Sequence, residues 1–132
     1  AVYLLKGVDK NNPDKVSVKQ IASGLHEPLG LKVVHGKIFV LQKQELTELI
    51  DHNGDEIIDE YRNICSSWGA TSDFHEYSYG LEYKDGYFYA NLGLGMRLMK
   101  HELQDPDRGS VIKISMKGNY EKINNYNRKY CN

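Results

Sequence analysis

Cysteine, proline and tryptophan are all scarce in this chain, at two, three and one among 132 residues. The two cysteines, Cys65 and Cys131, say little about redox compartment. Paired, they would close a long loop worth up to ~4 kcal/mol in the chain-entropy picture. Free thiols are the better reading, because Cys131 sits in a polar tail. No charge of one sign dominates: 17 basic against 18 acidic residues leave a net charge of −1. That balance gives no electrostatic case for nucleic acid or an anionic membrane surface. No window approaches the roughly 20 apolar residues of a membrane-spanning helix. The start, Ala1-Val2-Tyr3-Leu4-Leu5, is too short for a signal-peptide core and lacks a basic lead. No Cys-x-x-Cys, phosphate-cradling glycine loop or Gly-x-Ser-x-Gly is present, and Gly93-Leu94-Gly95 has no following helix signal. His26-Glu27, His75-Glu76 and His101-Glu102 each lack a second histidine four residues on, which excludes the zinc-protease helix motif.

What the chain does have is tyrosine, ten against three phenylalanines. Amphipathic aromatics favour strands and binding surfaces. The clearest stretch runs from Phe74 to Gly93. Residues 77–83 and 87–92 alternate as strands do, and Asp85-Gly86 supplies the positive φ angles of a two-residue hairpin turn. Along the rest of the chain, residues 1–15 read as a turn-rich lead-in and 16–22 as a strand. Residues 31–34 and 38–42 form a hairpin about His35-Gly36, and 46–50 is a strand. Residues 58–65 stay open between a strand and a short helix. Residues 110–116 and 120–123 are strand-like, and 124–132 is a polar tail.

The hairpin has an echo. Gly30-Leu31 through Gly36 to Leu41 lies over Gly80-Leu81 through Gly86 to Asn91 at an offset of 50 (30 to 80), and residues 47–54 lie over 111–118 at 64 (47 to 111). The second copy therefore carries an insertion within residues 92–108. A four-stranded antiparallel unit repeating at this spacing predicts an all-β fold of β-propeller blades. The first blade would be about 16–65 and the second about 74–123. Propellers close with roughly four to eight blades, so two blades imply partner blades from the same protein or other copies. Alone, they would expose two unpaired sheet faces.

In such a blade, ligands sit at the end carrying residues 25–29, 42–45, 66–75 and 92–108. His75 falls there, with Arg97, His101 and Arg108 in the insertion. A histidine suits abstraction of a proton from a substrate hydroxyl; equally, it could cap the strand start. Trp68 could stack on a sugar or cofactor, or plug the space between blades. At the other end, Asp51, Asn53, Asp55 and Asp59 carry hard oxygen donors in the order of a calcium loop. Glu56 and Arg62 break that pattern at its sixth and twelfth places, and an Asx-rich turn is the plain alternative.

Taken together, Gly24-Leu25-His26-Glu27-Pro28-Leu29-Gly30-Leu31, residues 40–47, residues 51–61, the block from Trp68-Gly69 to Gly80-Leu81, and Arg108-Gly109-Ser110-Val111-Ile112-Lys113-Ile114 resemble the glucose/sorbosone dehydrogenases. The match is nearest to bacterial proteins described as L-sorbosone or membrane-bound dehydrogenases, and it covers about residues 16–123. The resemblance implies a six-bladed propeller acting on a sugar or aldose. It implies His75 as the base, hydride transfer to pyrroloquinoline quinone (PQQ), calcium, and a periplasmic or extracellular location. Arg97, His101 and Trp68 become candidates for cofactor or substrate contact. The family's quinone-gripping basic residues lie mainly in later blades. The alternative is a non-catalytic propeller module that binds carbohydrate or a protein.

Overall fold

Hairpin chemistry sets the architecture. At both His35-Gly36 (φ 49° and 77°) and Asp85-Gly86 (φ 51° and 86°), two consecutive left-handed residues make the turn whose twist matches paired strands. The structure, a computed structural model, describes residues 1–96 and 103–125. Over these residues it is all-β, with three antiparallel sheets and a single 3-10 turn at Pro13–Lys15. A two-stranded sheet pairs β1 (Val2–Lys6) with β2 (Ser17–Ala22). The first four-stranded sheet runs in chain order through β3 (Gly30–Val34), β4 (Lys37–Leu41), β5 (Leu46–Ile50) and β6 (Glu60–Cys65). The second repeats that order with β7 (Ser78–Lys84), β8 (Tyr87–Leu92), β9 (Ser110–Ser115) and β10 (Tyr120–Asn125).

Two expectations change. The lead-in contains a strand, β1, whose alternation is masked because Tyr3 and Leu5 face outwards and are exposed while Val2 is buried. The ambiguous segment is strand from Glu60 onwards. The echo also tightens. Leu49 lies opposite Ile38 and Ile114 opposite Phe88, so the third strands match at an offset of 65 (49 to 114), one more than the sequence alignment suggests.

The main core lies between the two four-stranded sheets. Val34, Phe39, Leu41, Leu46 and Cys65 of the first meet Leu81, Phe88, Ala90, Leu92, Ile112 and Ile114 of the second. Phe39 and Phe88 are fully buried with ring centres 4.7 Å apart, each contributing about 1.5–3 kcal/mol by burial. Trp68 caps this layer, edge-on to Tyr120 at 6.4 Å. A second cluster joins the other face of the first sheet, through Val40 and Leu49, to Val2, Ile21 and Ala22.

Equivalent side chains therefore point the same way. Val40 and Leu49 face forward onto the β1–β2 sheet; their counterparts Ala90 and Ile114 face forward onto the first four-stranded sheet. The sheets stack front to back, in one sense. The forward face of the first sheet is only partly covered, since β1 and β2 are two strands over four. A cleft of about 450 Å³, lined by Leu4, Ile21, Ile38, Leu49 and Ile58, remains beside them. Of the two faces expected to lie bare, one is thus half covered; the rear of the second sheet presents Tyr79 and Tyr87.

Candidate functional site

The strand ends that carry residues 25–29, 42–45, 66–77 and 93–109 form one polar end of the stack. Its centre is a buried ion pair. Arg108 Nε lies 3.3 Å from Glu76 Oε1, with both side chains wholly inaccessible. A buried charge is tolerated only with its hydrogen bonds made, and here they are. Arg108 donates from Nε to Gly69 O (2.9 Å), from Nη1 to Tyr77 O (3.0 Å) and Ser78 Oγ (3.2 Å), and from Nη2 to Lys43 O (2.9 Å). Glu76 accepts from Thr71 N (2.8 Å), Thr71 Oγ (2.9 Å) and Gln104 Nε2 (3.3 Å). Burial pulls the Arg108 guanidinium below its ordinary pKa, opposed by Glu76 and Asp105. With its donors engaged, Arg108 is a strut joining the two sheets through the Lys43 carbonyl. That carbonyl also accepts from Trp68 Nε1 (3.0 Å) and Ser78 Oγ (2.7 Å).

His75 sits at the edge of this cluster, about one third exposed. Its position follows from an Asx turn. Asp73 Oδ1 accepts from the His75 amide at 2.9 Å, and the Glu76 amide donates to Asp73 O at 3.2 Å. The ring packs against Phe74, centres 3.9 Å apart. Its Nδ1 is buried, 4.0 Å from Asp73 Oδ1. A small ring rotation would bring Nδ1–H onto that carboxylate. Such contacts are often long before a ligand is bound, and this one would leave Nε2 on the open side as the basic nitrogen. On the facing sheet, the buried Lys43 ammonium donates to Asp73 O (2.6 Å) and stands 3.7 Å from Glu27 Oε2. Glu27, Lys43, Asp73 and His75 are thus brought together across the two sheets.

The other sequence candidates fare differently. Arg97 and His101 lie outside the described residues. Trp68 is 3% exposed and takes the second of its two possible roles, the plug between sheets, which removes its ring faces from any ligand. Asp51, Asn53, Asp55 and Asp59 lie at the opposite end, with each side chain turned to the backbone. Asp51 accepts from the amides of Asn53, Gly54 and Glu56, Asn53 from Asp55, Asp55 from Ile57, and Asp59 from His52. Asp51 is held below the usual carboxylate range: desolvation raises it, and the amide bonds more than offset that. Among the described residues no group of three or more His, Cys, Asp or Glu side chains is disposed to hold a metal ion. Cys65 is a buried free thiol, and Cys131 lies outside the described residues.

Glu27, Lys43, Asp73 and Glu76 were missing from the sequence candidates. Asp73, two residues before His75, carried an Asx-turn spacing that could have flagged it; Lys43 and Glu27 carried only their place in loops at the right end. Compared with protein-family models, curated proteins and solved structures, the chain matches none, so the reading of this site rests on its geometry.

Proposed function

We propose that the two four-stranded sheets are consecutive blades of a β-propeller of the glucose/sorbosone dehydrogenase type, and that His75 is the base that takes a proton from a sugar hydroxyl. Front-to-back stacking of equivalent faces supports the propeller reading, because units that each present their front to a neighbour's back close into a ring when the rotation between them divides a full turn. The observation that carries the site is His75 itself. It is about one third exposed at the shared end of both sheets, with Asp73 Oδ1 4.0 Å from Nδ1, where a small ring rotation would fix the tautomer and leave Nε2 available.

The cofactor implied by the resemblance does not fit the described residues at this end; Arg97 and His101, its other candidates, lie outside them. PQQ is a polyanion and needs free cations. Here Arg108 is spent on the fold, and Lys43 is shared between Asp73 O and Glu27. The carboxylates of Glu27 and Asp73 would repel an acidic cofactor. In this reading the described residues supply the hydroxyl side of the reaction, and the acceptor is held outside them. Among the described residues at this end no cation is free of a protein partner, which also favours the second reading, a carbohydrate-binding module without turnover. Dye reduction with aldoses, with PQQ and calcium added, separates the two. The dehydrogenase reading expects turnover that falls at least ~100-fold in His75→Ala, the scale of general-base catalysis. Turnover equal to wild type in that variant removes His75 from the reaction, and glucose binding with no turnover selects the module.

A further inference from the structure

The two repeats each carry a basic residue just before the third strand, paired with a glutamate before the first strand. Arg108 pairs with Glu76 in the second, and Lys43, its counterpart at an offset of 65 (43 to 108), pairs with Glu27 in the first. The two glutamates differ in one respect. Glu76 Oε2 receives the Thr71 hydroxyl and the Gln104 amide, and Gln104 lies in the insertion that only the second repeat has. Glu27 Oε2 is equally buried and has no hydrogen-bond partner. Among the described residues only one other buried side-chain polar atom shares that condition: His75 Nδ1, beside the Asp73 that Lys43 touches.

The backbone agrees. Glu27 is held at φ 48°, a left-handed conformation that costs a non-glycine residue energy. It is enforced from both sides, by His26 N donating to Gln42 Oε1 (2.6 Å), Lys43 N to His26 O (3.2 Å) and Leu29 N to Leu41 O (3.1 Å). A glycine would suit that angle, so the glutamate is not there for the loop. Its environment selects the ligand's charge: the Lys43 ammonium disfavours a cation, and the Asp73 and Glu27 carboxylates disfavour an anion. What remains is a neutral donor.

We infer that Glu27 is a ligand-contacting residue whose Oε2 accepts a hydrogen bond from a hydroxyl of a neutral polyhydroxylated molecule, as Glu76 Oε2 accepts one from Thr71. The inference rests on the carbohydrate reading of the His75 end and extends it to the facing sheet. Titrating the chain with D-glucose, D-gluconate and D-glucosamine, while following the His75 ring proton by NMR, tests the charge preference. Saturable shifts are expected with glucose, and affinities about tenfold weaker or worse for the charged sugars. Glu27→Gly is expected to lose at least about tenfold in glucose affinity, the loss of a charge-assisted hydrogen bond, measured at a temperature where the variant is folded, since Lys43 then stays buried without its partner and the melting temperature falls. No shift with glucose, or unchanged binding in Glu27→Gly, each overturn the inference. Binding that depends on Glu27 without dye reduction would sink the dehydrogenase and leave this site standing. Dye reduction with an unchanged KM in Glu27→Gly would do the reverse.

Discussion

The two four-stranded sheets are built on one pattern and meet different surroundings, and comparing them separates what a repeat encodes from what its neighbours decide. Leu81, on the forward face of the second sheet, is 5% exposed, because the first sheet stands in front of it. Its counterpart Leu31 faces the same way and is 47% exposed, and Val33 beside it 61%, because β1 and β2 reach only part of that face. The alternation fixes direction; burial is conferred by whatever lies ahead. The ion pairs follow the same rule. Arg108 and Glu76 are sealed by the insertion and the β7 lead-in, whereas in the first pair Lys43 is buried but Glu27 lies at the margin, about one third exposed.

The largest effect expected from this contrast is at the pairs. Arg108→Met leaves Glu76 charged and buried and is expected to cost about 3–5 kcal/mol in denaturant unfolding. Lys43→Met, whose partner Glu27 can reach water, is expected to cost about 1–2 kcal/mol. Combining Arg108→Met with Glu76→Gln should recover part of the first loss, and equal costs for the two single variants would break the comparison. Next comes the core. Leu81→Ala is expected to destabilise by about 2–4 kcal/mol and Leu31→Ala by no more than about 0.5 kcal/mol. A large cost at Leu31 would show that its face is covered in solution.

The smallest effect sharpens the contrast between the fourth strands. The Tyr120 hydroxyl donates to Asp107, while Tyr61 in the matching place accepts from Ser23 N. Burial, and then that bond to Asp107, raise the Tyr120 phenol to about 12. A group whose folded pKa exceeds its unfolded value stabilises fully below the unfolded value, and loses that contribution as pH rises through the folded one. Stability should therefore decline between about pH 10, the unfolded tyrosine value, and about pH 12. Tyr120→Phe should flatten that window, as melting curves across it would reveal.

Much of the fold was legible because turn chemistry is local. His35-Gly36 and Asp85-Gly86 announce their hairpins, and the spacing between them announces the repeat. The N-terminal strand was hidden since β1 is defined by its partner β2 rather than by its own alternation. At the site, His75 was visible as a residue type in a suggestive place. Glu27, Lys43 and Asp73 were not, because their meaning comes from three loops up to 46 residues apart in sequence (27 to 73), a proximity created by sheet stacking. Trp68 illustrates the converse. Its chemistry permits ligand stacking, but the hydrogen bond from Nε1 to Lys43 O commits it to the joint between sheets.

Gly30 governs that joint. A methyl group there would come within 2.7 Å of Leu81 Cβ and 3.0 Å of Leu41 Cβ. The bare backbone of β3 is thus the spacer that sets how near the second sheet comes. Because Glu27 and Lys43 ride on one sheet and Asp73 and His75 on the other, the spacing between them is a mechanical property of this contact. That spacing can be changed from a position with no polar side chain at all, which makes position 30 a calliper for the site rather than a part of it.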